Sequence, residues 1–230
     1  MNILTIDTCD LSVVGVVRHE DGGIALLSRE VSKDSRHHAE TITPMVNSAL
    51  EKARITKPDA IIVGRGPGAF TGLRAGLVTA RTLAFAWDIP LYGVSSLEAM
   101  AFEALDQYEE TLAVIDARRK ELFTLHARRE DGAPFIVCSG PDTIRPADIP
   151  HLWKDKDMEA VVVSKPGMYP ELDGARVQLC EPEALAHLAL TYMCSEEGRE
   201  IIGTTEPLYL RRPDIAQGVA QPSGDGYLKD

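Results

Sequence analysis

Between Gly64 and Gly76 the chain places five glycines and a proline in thirteen residues, wedged between a short apolar run (Ala60 to Val63) and a helical pattern (Leu77 to Trp87). This run demands a buried strand, a tight turn of bare backbone and a helix start in immediate succession. Glycine leaves backbone N–H groups unshielded. The helix start adds a positive dipole end that draws anions or a closely docked partner. Two phosphate-binding patterns can be tested here. A P-loop needs a Lys directly after its second glycine, and no Lys follows any of these glycines. The dinucleotide pattern G-x-G-x-x-G/A is met by Gly64, Gly66 and Ala69, but it also expects an acidic residue at the end of the next strand. Asp88 precedes that strand instead, and Pro67 removes a donor from the turn.

A chain of 230 residues supports one large or two small domains. An apolar content of 44% beside 26% charged residues is that of a globular protein. The net charge of −11 argues against a large direct nucleic-acid surface, which needs clustered Lys and Arg, although an acidic subunit can serve a partner that holds the nucleic acid. Cys9, Cys138, Cys180 and Cys194 stand far apart with no C-x-x-C pair, which reads as reduced thiols. The N-terminus runs straight into a strand pattern, and no apolar run approaches the roughly 20 residues that span a bilayer. The expectation is a cytoplasmic protein with no membrane contact.

Asn2 to Thr8, Leu11 to Arg18 and Ile24 to Val31 read as strands, the last two joined by a hairpin turn at Asp21-Gly22-Gly23. Ile42, Met45, Val46, Ala49, Leu50 and Ala53 then recur at helical spacing. Either Thr43 caps this helix with Pro44 in its first position, or the helix begins near His38 and bends at the proline. After the glycine run, Gly72, Gly76, Ala80 and Ala84 recur every four residues, with Leu73, Leu77 and Leu83 beside them. Small residues at that spacing admit another backbone at close range. They pack either on the chain's own sheet or against a helix of another chain. Leu91 to Val94 is a strand, and Ser95 with Glu98 forms a capping box for a helix from Ser96 to Leu105.

The second half repeats the order in shorter form. Strands are expected at Thr111 to Ala117, Glu121 to Arg128 and Pro134 to Ser139, a short helix at Ala147 to Trp153, and a strand at Glu159 to Ser164. A late helix runs from Pro182 to Glu197, stopped by Gly198. The element order predicts a duplicated α/β fold of the ribonuclease-H-like (actin/Hsp70/sugar-kinase) architecture with its second half abbreviated. The domains would be 1–108 and 109–216, and the polar stretch Gln217 to Asp230 reads as a poorly ordered tail.

Several separated segments agree with one family. They are Ile3 to Thr8, His38-Ala39-Glu40, Gly66-Pro67-Gly68-Ala69-Phe70-Thr71-Gly72-Leu73-Arg74, Pro90 to Leu97, Asp116 to Arg119 and Tyr209-Leu210-Arg211. In these the chain resembles the bacterial TsaB (YeaZ) family, paralogues of the threonylcarbamoyltransferase TsaD. Cys9, Ala39 and Ala69 stand where the family commonly has serines. The resemblance implies a non-catalytic subunit that pairs with TsaD, with TsaE joining, in the complex that transfers a threonylcarbamoyl group to the adenosine beside the tRNA anticodon. It implies no cofactor on the isolated chain, with ATP or ADP at or near the complex interface. Contact with tRNA would be indirect, and a homodimer would form when TsaD is absent. The implied interface lies on two helices, through Ile42, Met45, Val46, Ala49, Leu50, Gly72, Leu73, Gly76, Leu77, Ala80 and Ala84. On that reading Gly76→Leu abolishes TsaD binding and leaves the monomer folded.

The residues that could carry chemistry give a weaker signal. Asp7, at the end of the first strand, is either a ligand near magnesium and phosphate, as in sugar kinases, or a cap for its own turn. Arg74 meets a phosphate, a partner carboxylate or an internal salt bridge. Asp116 with Arg118 and Arg119 marks a hairpin or a site. His37, His38 and Glu40 suggest a metal, yet two helical histidines that grip one ion need i, i+4 spacing, which they lack. No catalytic set is evident. The alternatives are an independent ATPase or small-molecule kinase of the same fold and, less favoured, a metallopeptidase.

Overall fold

The computed structural model describes residues 1–33, 37–130, 133–153 and 159–210. The first half runs β1 (Asn2–Asp7), β2 (Val13–Glu20), β3 (Gly23–Val31), α1 (His38–Ala53), β4 (Ala60–Gly64), α2 (Phe70–Trp87), β5 (Leu91–Val94) and α3 (Ser96–Ala104). The expected hairpin turn is present: Asp21 and Gly22 both take positive φ, as a turn matched to the twist of its strands requires. Of the two starts open to α1, the helix takes the earlier. It begins at His38 and carries Pro44 inside it. Ser95 caps α3 by accepting the Glu98 N–H at 3.3 Å, but the Glu98 carboxylate accepts from the Tyr192 hydroxyl at 2.8 Å instead of completing the box.

The second half comprises β6 (Glu110–Arg118), β7 (Glu121–Glu130), β8 (Ala133–Ile144), α4 (Ile149–Trp153), β9 (Ala160–Val163), β10 (Arg176–Val177), α5 (Pro182–Met193) and α6 (Glu196–Gly203). The late helix ends earlier than its pattern suggested, and Gly198 lies inside a further helix. Ser195 starts that helix by accepting the Gly198 N–H at 3.0 Å. Gly198 serves close packing here, since a Cβ would come within 2.1 Å of the Tyr192 carbonyl oxygen. Strand β10 and helix α6 had no expectation from the sequence.

Both sheets have one order. In the first, β3-β2-β1-β4-β5, the central β1 pairs antiparallel with β2 and parallel with β4. In the second, β8-β7-β6-β9-β10, the central β6 pairs antiparallel with β7 and parallel with β9. This is the expected duplicated α/β fold with the ribonuclease-H-like order, and the shortening falls after β9, where no long helix intervenes before β10. Helices α1 and α2 cover the outer face of the first sheet, and α4 covers the outer face of the second. Between the sheets, α5 lies on the first and α3 on the second, and the two helices pack together in one apolar core. No helix of the described residues is long and apolar enough to cross a membrane. Arg211 and the tail from Gln217 lie outside the described residues.

Candidate functional site

The turn from β4 into α2 is held by β1. Asp7 is buried, and its carboxylate accepts the Cys9 N–H at 3.0 Å and the Ser96 hydroxyl at 2.5 Å. Gly64 lies so close that a Cβ there would fall 1.9 Å from the carboxylate. Burial pushes the Asp7 carboxyl above the ordinary range, and the hydrogen bonds only partly offset this. Both oxygens are thus engaged within the protein, and the residue caps its own turn. Cys9 and Cys180 are buried beside it as free thiols, each pushed well up by burial.

The small-residue face of α2 turns inward. Thr8 donates its hydroxyl to the Gly72 carbonyl at 2.9 Å. A Cβ on Gly72 would meet the His38 ring at 2.8 Å, and one on Gly76 would meet the Thr8 hydroxyl at 2.4 Å. Leu73, Leu77, Ala80 and Ala84 join Ile42, Val46, Ala49 and Leu50 of α1 in the core beneath the two helices. Ten of the eleven interface residues expected from the sequence are therefore buried within the chain, and Met45 is half-buried. Small side chains at every fourth position bring α2 down onto β1 and α1, which consumes that face. Gly76→Leu consequently tests the fold rather than the interface.

What α2 offers to solvent is the opposite stripe. At about 100° per residue, Phe70, Arg74, Val78, Arg81 and Phe85 fall within one quarter of the helix circumference, and all five are exposed. Phe85 is 90% and Val78 60% exposed. Scattered exposed apolar residues are ordinary, but burying a Phe is worth about 1.5–3 kcal/mol. Two such side chains on one stripe leave a sizeable apolar surface uncovered. Phe85 and Val78 carry no distinguishing signal in the sequence, because an apolar residue in an amphipathic pattern is indistinguishable from core.

A strap formed by residues 204–210 lies along one edge of this stripe. The Leu208 N–H donates to the Arg65 carbonyl at 2.9 Å. Arg81 donates to the Thr205 hydroxyl at 2.9 Å and carbonyl at 2.8 Å, and to the Glu206 carboxylate at 3.0 Å. Tyr209 stacks on Phe70 with ring centroids 5.1 Å apart. The Arg74 guanidinium sits 3.8 Å over the Phe70 ring and donates from Nε to the Tyr209 hydroxyl at 2.6 Å. Two segments 135 residues apart in the chain thus meet here.

The remaining candidates lie outside this stripe. His38 is buried with Nδ1 2.7 Å from the Ser12 hydroxyl, whereas His37 and Glu40 are exposed. Among the described residues, no group of three or more His, Cys, Asp or Glu side chains is placed to hold a metal ion. Arg118, Arg119 and Lys120 take positive φ in the β6–β7 hairpin, where Asp116 accepts the Arg118 N–H at 2.8 Å. Asp116 also accepts from Lys165 at 3.0 Å, and the Lys165 ammonium lies 3.5 Å from Asp10. The Ser164 hydroxyl donates to Asp10 at 2.7 Å. Lys165 and Asp10, unremarked in the sequence, thus tie the second half to the end of β1.

Comparison with known proteins agrees with this architecture. Residues 26–135 match the family model described as "TsaD: tRNA N6-adenosine threonylcarbamoyltransferase". The chain is 36% identical over 228 residues to an uncharacterized protein of Mycobacterium tuberculosis, covering 92% of each. It is 30% identical over 226 residues to the tRNA threonylcarbamoyladenosine biosynthesis protein TsaB of Escherichia coli, covering 92% of this chain and 95% of that one. The structure of YeaZ from Pseudomonas aeruginosa superposes with a TM-score of 0.69 at 26% identity, over 91% of this chain and 99% of that chain.

Proposed function

Because the chain belongs to the TsaB (YeaZ) family, we propose that it acts in threonylcarbamoyladenosine formation on tRNA as the non-catalytic partner of TsaD. The reading is carried by one observation: the outer stripe of α2 holds Val78 and Phe85 in solvent on an otherwise well-packed helix. A TsaD helix laid along this stripe would bury both. The interface is then on α2, one of the two expected helices, but on its outer side chains. A second copy of the chain would use the same surface when TsaD is absent.

The internal engagement of Asp7, Asp10 and Asp116 supports an accessory role over an independent ATPase. Nucleotide would bind at or near the interface of the assembled complex, with TsaE joining there, and tRNA would be met through the complex, in the cytoplasm. The test is reconstituted tRNA modification by TsaD and TsaE with and without this chain. Modification that requires the chain, together with no ATP turnover by the chain alone, is the expected result. Equal modification in its absence, or ATP turnover by the isolated chain, would overturn the reading.

A further inference from the structure

Two arginines of α2 face the strap, and they differ in one respect. Arg81 is matched by the Glu206 carboxylate and by Thr205. Arg74 is held by Tyr209 through Nε alone, and neither of its terminal nitrogens has a hydrogen-bond or ion-pair partner among the described residues. A guanidinium stays charged in any protein setting, and its outer fork matches two oxygens of one anion. The Phe70 ring below and the Tyr209 hydroxyl beside it fix the plane of that fork before anything binds. Much of the side-chain ordering cost of a new ion pair is thereby already met.

The neighbourhood selects the kind of anion. Along α2 the next exposed stripe residues are Val78 and Phe85, both apolar. The other stripe cation, Arg81, is already paired, and the chain carries a net charge of −11. Phosphate backbones are bound by several clustered cations. One pinned arginine at the edge of an apolar helical stripe suits a single carboxylate on a protein helix whose remaining contacts are apolar.

We propose that the Phe70–Arg74–Tyr209 stack is a preformed receptor for a carboxylate side chain of the protein that docks on α2, so that the strap sets the register of that partner. This rests on the assignment of α2 as the TsaD-binding face. The receptor sits at the N-terminal end of the stripe, and the apolar anchor Phe85 lies eleven residues beyond Arg74, about 16 Å at 1.5 Å per residue. The docking helix would therefore place its acidic residue about three turns from the side chains that cover Phe85.

The experiment is titration calorimetry of TsaD with the full chain and its Arg74→Gln, Tyr209→Phe and Phe85→Glu variants, each first checked for an unchanged circular dichroism spectrum. Arg74→Gln should weaken TsaD binding about tenfold or more, since the partner carboxylate is left unpaired. Tyr209→Phe, which keeps the stack but frees the guanidinium, should weaken it by a smaller factor. Phe85→Glu should weaken it whether or not the receptor exists. Loss of binding in Phe85→Glu with wild-type affinity in Arg74→Gln would overturn the receptor and leave the docking face standing. Wild-type affinity in Phe85→Glu would overturn the docking face and the receptor with it. Wild-type TsaD affinity in Arg74→Gln, with loss of tRNA binding by the assembled complex, would assign Arg74 to a phosphate and refute the carboxylate.

Discussion

Thr8 and Gly76 lie so close that a Cβ on Gly76 would come within 2.4 Å of the Thr8 hydroxyl. That hydroxyl is already committed to the Gly72 carbonyl one turn earlier on the same helix. A side chain at Gly76 can fit only by lifting α2 from the end of β1. Gly76→Leu is therefore expected to destabilise the chain by about 1–3 kcal/mol, the usual cost of overpacking, or more. Chemical denaturation measures this, and an unchanged midpoint would show that α2 yields without cost.

Lys165 joins two carboxylates, Asp10 and Asp116, that stand at the ends of the central strands of the two sheets. Asp10 is buried, so Lys165→Met leaves it with the Ser164 hydroxyl in place of a cation. A loss of about 2 kcal/mol is expected, below the 3–5 kcal/mol of a fully buried pair because Lys165 retains some solvent contact. Thermal unfolding of the variant checks it, and no loss would mean that water replaces the ammonium.

Burial, then the charges of Glu181, Glu183 and Asp106, push the Glu103 carboxyl up to about 7. Gln178 donates to it at 3.2 Å, and Arg29 is held in a two-pronged pair with Glu181 at 2.6 and 2.7 Å. Between about pH 4.5 and about pH 7 the folded chain keeps a proton that the unfolded chain releases. The stability due to Glu103 is thus full below that window and is lost as pH rises through it. Glu103→Gln should be more stable than the wild type by on the order of 2 kcal/mol at pH 8, with the gain fading toward pH 4. Denaturation at both pH values tests this; a gain that grew toward low pH would contradict it.

The strap is tied to α2 through exposed contacts, so it should open locally. Removing the three Arg81 bonds with Arg81→Ala is expected to speed hydrogen exchange at the Leu208 amide, which donates to the Arg65 carbonyl. Global stability should fall by less than about 1 kcal/mol, as for surface ion pairs. Unchanged exchange would place the hold in the Phe70–Tyr209 stack instead.

The first sheet was legible because each of its elements carries a local signal: period-two strands, the Asp21-Gly22 turn and the run of glycines. The repeat in the second half was legible as element order alone. Gly198 misled because a glycine reads as a helix stop unless the capping role of Ser195 outweighs it. The site was harder. Spacing showed that Gly72, Gly76, Ala80 and Ala84 share a face, but a period carries no information about what that face meets. Close packing on Thr8 and His38 turned it inward. The opposite stripe then became the surface, and its Phe70–Arg74–Tyr209 contact depends on a chain return that no local pattern encodes.

The most direct measurement is the affinity of TsaD for the Phe85→Glu chain, with threonylcarbamoyladenosine formation followed in the same preparations. Phe85 is 90% exposed, so a carboxylate there leaves the fold intact and spoils only what docks on it. Affinity about 100-fold weaker, as for loss of an interface anchor, with modification lost in parallel, is the expected result. Wild-type affinity and wild-type modification from a folded Phe85→Glu chain would contradict the assignment of α2 as the TsaD-binding face.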